Sequence, residues 1–160
     1  MSELLGIYLN DHLAGAVAGH ELAKRTLGQN RGTPYEQDLE TLAREIGEDK
    51  QTLEGLMADL GIRKVAWKTS AAWVAEKVGR AKLNGALIGY SPLSRLEELE
   101  GLRSGVDAKA SMWNNLAGAA SARRRIDPAE MRRLLQRATD QSDRLKRLAG
   151  RAAKEALGGT

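Results

Sequence analysis

The sequence predicts an all-α fold, and three observations lead to that prediction. Ala, Leu, Glu, Arg and Lys dominate the 160 residues, whereas Val, Ile, Thr, Tyr and Trp are sparse. Apolar residues recur at steps of three and four in five segments, and no segment shows sustained strand alternation. Each of three pairs, at 33–34, 91–92 and 127–128, puts a capping Thr, Ser or Asp before a proline at the first helical position.

The periodicity places the predicted helices in chain order at about 3–27, 34–60, 63–80, 92–119 and 127–157. Gly28 and Gly32 end the first helix, and Thr33 with Pro34 starts the second. The stripe Leu39, Leu42, Ile46, Leu53, Leu56 and Leu60 marks the core-facing side of the second helix.

The lengths of these helices constrain how they connect. The four long helices span roughly 37–45 Å each at ~1.5 Å per residue. Short turns join the first to the second and the fourth to the fifth, so each pair is an antiparallel hairpin. The stretch between the hairpins is long enough to cross the bundle and return the fourth helix parallel to the second. The sequence therefore predicts one domain, residues 1–160, with a ferritin-like four-helix bundle whose long crossover carries the short helix 63–80.

Composition and missing motifs exclude several classes of function. There is no cysteine, so disulfides, thiolate zinc sites and cysteine nucleophiles are ruled out. No apolar run approaches the roughly 18–20 residues of a membrane span, and the first residues do not resemble a signal peptide. Glycine-rich phosphate loops, nucleophile elbows and kinase motifs are missing. We expect a cytoplasmic protein with no membrane partner.

Ferritin-like di-iron sites use Glu-x-x-His pairs on two helices, and this chain contains no such pair. Its two histidines, His12 and His20, both fall on the first predicted helix. His12 lies in the apolar stripe of that helix and Asp49 in that of the second, near the middle of each, so antiparallel packing could bring them together. A buried carboxylate needs a partner, and we expect His12 or Arg103, which lies in the stripe of the fourth helix, to supply it.

The same residues leave two alternatives open. One is a degenerate Fe or Mn site built from His12, Asp49 and neighbouring carboxylates, with Glu45, Glu48, Glu97 and Glu100 as candidates. The other is an anion-binding role for Arg103. No cofactor is predicted.

Two further features point to surfaces. Trp73 lies off the stripe of its helix, which marks either an interface or a ring covered by the loop 79–91. Five arginines cluster before and within the start of the last helix: Arg123, Arg124, Arg125, Arg132 and Arg133. They form either a solvated helix start or a polyanion site, and nucleic acid is not expected because no aromatic residue lies near them in the sequence.

Charge is unevenly distributed along the chain. Residues 1–61 carry a net charge of −6, residues 62–120 of +4 and residues 121–160 of +6, which together give the overall +4. Either an acidic hairpin packs beside a basic helix, or the basic part offers a surface to an anionic partner.

Three segments carry a resemblance to known proteins: YLNDHLAGAVAG (8–19), AAWVAEKVGRAKLNG (71–85) and YSPLSRLEELEGL (90–102). They resemble an uncharacterised bacterial family of small ferritin-like helical-bundle proteins. The resemblance covers nearly the whole chain and implies a fold and a bacterial cytoplasmic setting, but no catalytic residues. Where di-iron proteins have Glu-x-x-His, this chain has Arg44-Glu45-Ile46-Gly47-Glu48.

These observations favour a non-enzymatic interaction or structural protein that forms homo-oligomers. A degenerate metal-binding protein and a weak polyanion binder are the alternatives.

Overall fold

The computed structural model describes residues 3–65, 89–120 and 125–158. Within these ranges the chain forms four α-helices and no strand. They are α1 (Glu3–Gln29), α2 (Glu36–Asp59), α3 (Pro92–Ala119) and α4 (Pro128–Leu157). The all-α prediction is confirmed. Of the predicted short helix 63–80, residues 63–65 are irregular and the remainder lies outside the described residues.

Two of the predicted helix caps are confirmed. The hydroxyl of Ser91 accepts a hydrogen bond from the backbone N–H of Ser94, 3.1 Å away, at the start of α3. The Asp127 carboxylate accepts one from the backbone N–H of Ala129, 2.8 Å away, at the start of α4. Both caps satisfy backbone donors that the first helical turn leaves free.

The predicted cap at Thr33 is wrong, because α2 begins at Glu36. The Thr33 hydroxyl donates to the carbonyl of Asn30 at 2.7 Å and accepts from the N–H of Tyr35 at 3.3 Å. It therefore closes a turn around Gly32, whose φ of 73° suits glycine. The helix is delayed by two residues relative to Pro34.

Contacts between named residues fix the directions of the helices. α1 and α2 pack as one hairpin, and α3 and α4 as another. Tyr8 meets Asn115 and Arg25 meets Glu98, so α1 is antiparallel to α3. Asp49 meets both Lys109 and Gln141, which places α2 beside the second hairpin. Consequently α2 and α3 run in the same direction, and the connection between them joins opposite ends of the bundle.

The core is almost entirely aliphatic, with Trp113 fully buried in it. Six apolar residues along one side of α4 are buried: Met131, Leu134, Ala138, Leu145, Leu148 and Ala152. On α1 the core side differs from the predicted one by one residue: Leu13 is buried, whereas His12, which was predicted to lie in the apolar stripe, is only partly buried. Across the described residues, no helix combines the length and the apolar character that crossing a bilayer requires.

Candidate functional site

The first candidate site is a charged network centred on Asp49, which we call the central network. Asp49 lies between Ile46 and Leu53 on α2 and is only 3% exposed, so its predicted burial is confirmed. Lys109 of α3 donates to its Oδ2 at 2.5 Å, and the Gln141 amide of α4 donates to the same oxygen at 3.0 Å. The Arg137 Nε of α4 lies 3.2 Å from Oδ1. One carboxylate thus joins three helices.

The acidic neighbours of Asp49 on α2 are also paired with cations. Arg137 donates to the Glu48 carboxylate at 2.7 Å and to the Glu45 carbonyl at 2.9 Å. Arg144 donates to the Glu45 carboxylate. Three carboxylates of α2 therefore meet Lys109 of α3 and Arg137 and Arg144 of α4, and Arg44 of α2 also binds Glu48. Burial lowers the pKa of Lys109, and the adjacent Asp49 opposes that effect.

Both partners that the sequence predicted for Asp49 are wrong. His12 packs its ring edge-on against Tyr8, with 4.6 Å between the ring centroids. Arg103 is 42% exposed and lies 3.8 Å from Asp107, one turn further along α3. Lys109 takes the predicted place of Arg103 because it lies six residues further along α3, at the level of Asp49.

The predicted metal ligands do not converge. Glu45 and Glu48 are held by arginines, Glu97 is partly exposed and Glu100 is exposed on α3. His12 makes no contact with Asp49. In the part of the chain that is described, no group of three or more His, Asp or Glu residues is placed to hold a metal ion. The six candidate ligands, His12, Asp49, Glu45, Glu48, Glu97 and Glu100, are therefore not brought together at one point.

A second network, which the sequence analysis missed, surrounds Glu98 where α1 ends and α3 begins. We call it the end network. Glu98 is 3% exposed; its Oε2 accepts the Tyr90 hydroxyl at 3.0 Å, and its Oε1 lies 3.2 Å from the Arg25 Nε. The Asn30 amide donates to the Tyr90 oxygen at 2.8 Å and accepts from Arg95 at 2.5 Å. Burial raises the pKa of Tyr90, so its hydroxyl stays protonated.

Tyr35 extends the end network to α2 and α4. Its ring is 1% exposed and lies between two guanidinium groups, those of Arg95 at 4.5 Å and Arg151 at 4.7 Å from the ring centroid. Glu155 accepts from Arg95 at 2.7 Å and from Arg151 at 3.3 Å. The network thus holds the ends of all four helices together.

A sequence pattern could have revealed Glu98. It lies four residues before the buried Leu102 and eleven before Lys109, so all three lie on one side of α3. Its position between Glu97 and Glu100 makes the region look like an exposed acidic surface.

Of the arginines predicted to bind a polyanion, Arg125 and Arg133 are hydrogen-bonded to other groups of the protein. Arg125 donates to the Asp59 carbonyl at 3.4 Å, and Arg133 makes two bonds to the Glu130 carboxylate, at 2.8 and 2.6 Å. Arg132 is exposed. Arg123, Arg124 and Trp73 lie outside the described residues.

No protein-family model matches the chain, and neither the curated proteins nor the solved structures contain a match.

Proposed function

We propose that the protein is a non-enzymatic helical-bundle protein that acts through association, with a second copy of itself as its first partner. The role of the buried and partly buried carboxylates supports this proposal. Asp49, Glu45 and Glu98 are each paired with lysine or arginine between helices. Such pairs join helices to one another and leave the carboxylates little capacity for a metal or a substrate.

The observation that carries the proposal is an exposed apolar cluster near the start of α1, which we call the apolar patch. Leu4 is 76% exposed, Ile7 53% and Val65 70%. Asn10 places Val65 beside this part of α1, because its amide oxygen accepts from the Val65 N–H at 2.8 Å and its NH₂ donates to the Arg63 carbonyl at 3.1 Å. Neighbouring exposed apolar side chains mark association surfaces more often than isolated ones do.

A second copy is the simplest occupant of the apolar patch, because one patch meeting its own copy across a two-fold axis buries both. Trp73, predicted from the sequence as an interface residue, is a second candidate contact for the same association.

Size-exclusion chromatography with light scattering tests the proposal over a wide range of protein concentration. We expect the wild type to dimerise and Leu4→Ser/Ile7→Ser to shift toward monomer, with an unchanged circular dichroism spectrum. Leu157→Ser is the matched control, since Leu157 is 69% exposed but lies at the end of α4. A wild type that stays monomeric at every concentration would overturn the proposal. Trp73→Ala tests the second contact separately.

We also infer that the connectivity is ferritin-like and, from the resemblance of residues 8–19, 71–85 and 90–102 to a bacterial family, that the protein is bacterial and cytoplasmic. The support for the connectivity is the common direction of α2 and α3, which a bundle with one long crossover has.

Elemental analysis of the purified protein tests the alternative that the protein binds a metal. Stoichiometric Fe or Mn that is lost in the Asp49→Ala variant would contradict the proposal.

A further inference from the structure

The outer side of α4 carries a positive surface in its second half, which we call the basic face. Lys146, Arg147 and Lys154 are exposed and lie on the side of the helix that faces away from the core, and the exposed Arg151 lies at the edge of this surface, against Tyr35. The opposite side contributes Leu145, Leu148 and Ala152 to the core. Only the charged side of this half of the helix is therefore available to a partner.

Three of these charges have no acidic partner among the described residues: Lys146, Arg147 and Lys154. Several exposed cations elsewhere are paired, as Lys24 is with Glu21, Arg31 with Glu36 and Arg44 with Glu48. Residues 144–158 contain five basic residues and one acidic residue, Glu155, and Arg95 and Arg151 already bind that carboxylate. Asp140 and Asp143, which are exposed and precede Lys146 on α4, end the basic face toward the start of the helix.

The geometry of the basic face suits a linear array of negative charges. Lys146 and Lys154 are eight residues apart, which is about 12 Å along the helix axis at ~1.5 Å per residue. Gly150 lies between them on the same side, and a Cβ built there would meet no atom within 4 Å. The surface between the two lysines is therefore open to close approach.

We propose that the basic face binds the phosphate backbone of double-stranded nucleic acid without reading its sequence. Duplex DNA carries one negative charge per about 1.7 Å of helix axis, a density that several unpaired cations can neutralise. Single strands are usually bound with aromatic stacking, but α4 contains no aromatic residue and Tyr35, next to Arg151, is buried. Inserted apolar side chains strengthen binding to a lipid surface, and among the described residues beside the basic face Leu157 is the one large apolar side chain that is exposed.

This inference does not depend on the proposed function, because the apolar patch lies on α1 and the basic face on α4. A Leu4→Ser/Ile7→Ser variant should therefore keep its binding to nucleic acid even if it no longer dimerises.

Fluorescence anisotropy with a labelled duplex DNA tests the inference on the full chain. We expect binding at ~50 mM salt, with a logarithmic salt dependence of slope about −0.9 for each of about three neutralised phosphates. Lys146→Gln/Arg147→Gln/Lys154→Gln should weaken binding at least about tenfold and remove most of that slope. Lys24→Gln/Arg31→Gln/Arg44→Gln changes the net charge equally but alters paired cations, and it should stay within about threefold of the wild type.

Three outcomes would overturn the inference. The first is no binding by the wild type even at ~50 mM salt. The second is an equal loss in both triple variants, which would show that only net charge matters. The third is binding to vesicles of anionic phosphatidylserine but not to the duplex, with further loss in Leu157→Ser, which would assign the basic face to a lipid surface. Since every substituted side chain is exposed, circular dichroism should show all variants folded.

Discussion

Asp49 is a carboxylate buried between three helices, and the stability of the fold depends on its cationic partners. Asp49→Ala would leave Lys109 and Arg137 close together without their shared counter-charge. Breaking a buried pair on one side typically costs about 3–5 kcal/mol, so we expect the free energy of unfolding to fall by more than about 2 kcal/mol in urea titrations. The control is Asp143→Ala, at an exposed position on α4, which should change it by at most about 0.5 kcal/mol. Equal midpoints for the two variants would contradict the prediction.

Asp49 also shows how far single residues can be predicted from sequence. Its burial follows from its place between Ile46 and Leu53, because residues on one helix face share an environment. Its partners do not follow, because the relative level of two packed helices depends on tertiary contacts that the sequence pattern does not display. Lys109 lies between the buried Val106 and Trp113, and Gln141 lies between the buried Ala138 and Leu145. A polar residue that interrupts an apolar stripe in this way indicates a candidate partner for a buried carboxylate.

The two histidines predict how stability changes with pH. Burial lowers the pKa of His12 and of His20 from 6.5, and Lys24 and Lys50 lower that of His20 further. The unfolded chain therefore binds protons more readily, so the free energy of unfolding should decrease as pH falls below 6.5 and level off below the lowered pKa values. Between about pH 8 and pH 5, histidine is the main titrating side chain.

Urea titrations at several pH values across that window measure this effect. His12→Gln/His20→Gln should make the free energy of unfolding nearly independent of pH there. Arg44 and Arg137 lower the pKa of Glu48 from its ordinary value of 4.5. The stability that Glu48 contributes is therefore lost only below this window, as pH falls under 4.5. A wild type that is equally stable or more stable at the acidic end of the window would show that the sign is wrong.

Within α2, two glycines of contrasting environment test how closely α1 and α2 pack. A Cβ at Gly47 would lie 2.8 Å from the His20 Nε2, whereas one at Gly55 would meet no atom within 4 Å. Replacing a mid-helix glycine by alanine gains about 0.5–1 kcal/mol when space allows. We expect Gly55→Ala to stabilise by that amount in thermal unfolding, and Gly47→Ala to gain nothing or to destabilise.

A third variant separates the contact from helix propensity. In a His20→Ala background the clash is removed, so Gly47→Ala should then stabilise about as much as Gly55→Ala. If Gly47→Ala is as favourable in the wild type as in that background, His20 does not pack against Gly47 as described.

Helix boundaries were predictable where one local interaction decides them. Ser91 and Asp127 cap their helices with their own side chains, so the cap–proline pairs located α3 and α4 correctly. Thr33 belongs to an equivalent pair, yet its hydroxyl bonds to Asn30 and closes a turn instead. The same side chain can satisfy either backbone arrangement, and contacts around Asn30, including Tyr90 and Arg95, favour the turn.

The whole bundle is joined by two polar networks at different levels. The central network connects α2 with α3 and α4, and the end network connects α1 with α3 and Tyr35 with α4. Helix lengths and short turns were enough to predict the two hairpins. They could not predict that charged side chains would join them, because about 65–75 residues separate Glu98 from Arg25 and Arg95 from Asn30.

Charge distribution over the whole molecule predicts a response to salt. Residues 1–61, which contain the first hairpin, carry 5 basic and 11 acidic side chains, a net of −6, and residues 92–160, which contain the second, carry 14 and 9, a net of +5. The two hairpins therefore attract each other, partly through the Glu45–Arg144 and Glu48–Arg137 pairs, which are partly exposed. Because salt screens exposed charges, raising sodium chloride to ~1 M should lower the free energy of unfolding by about 1 kcal/mol. Glu45→Gln/Arg144→Gln should respond less to salt, and a wild type stabilised by sodium chloride would show that attraction between the hairpins is not what holds them together.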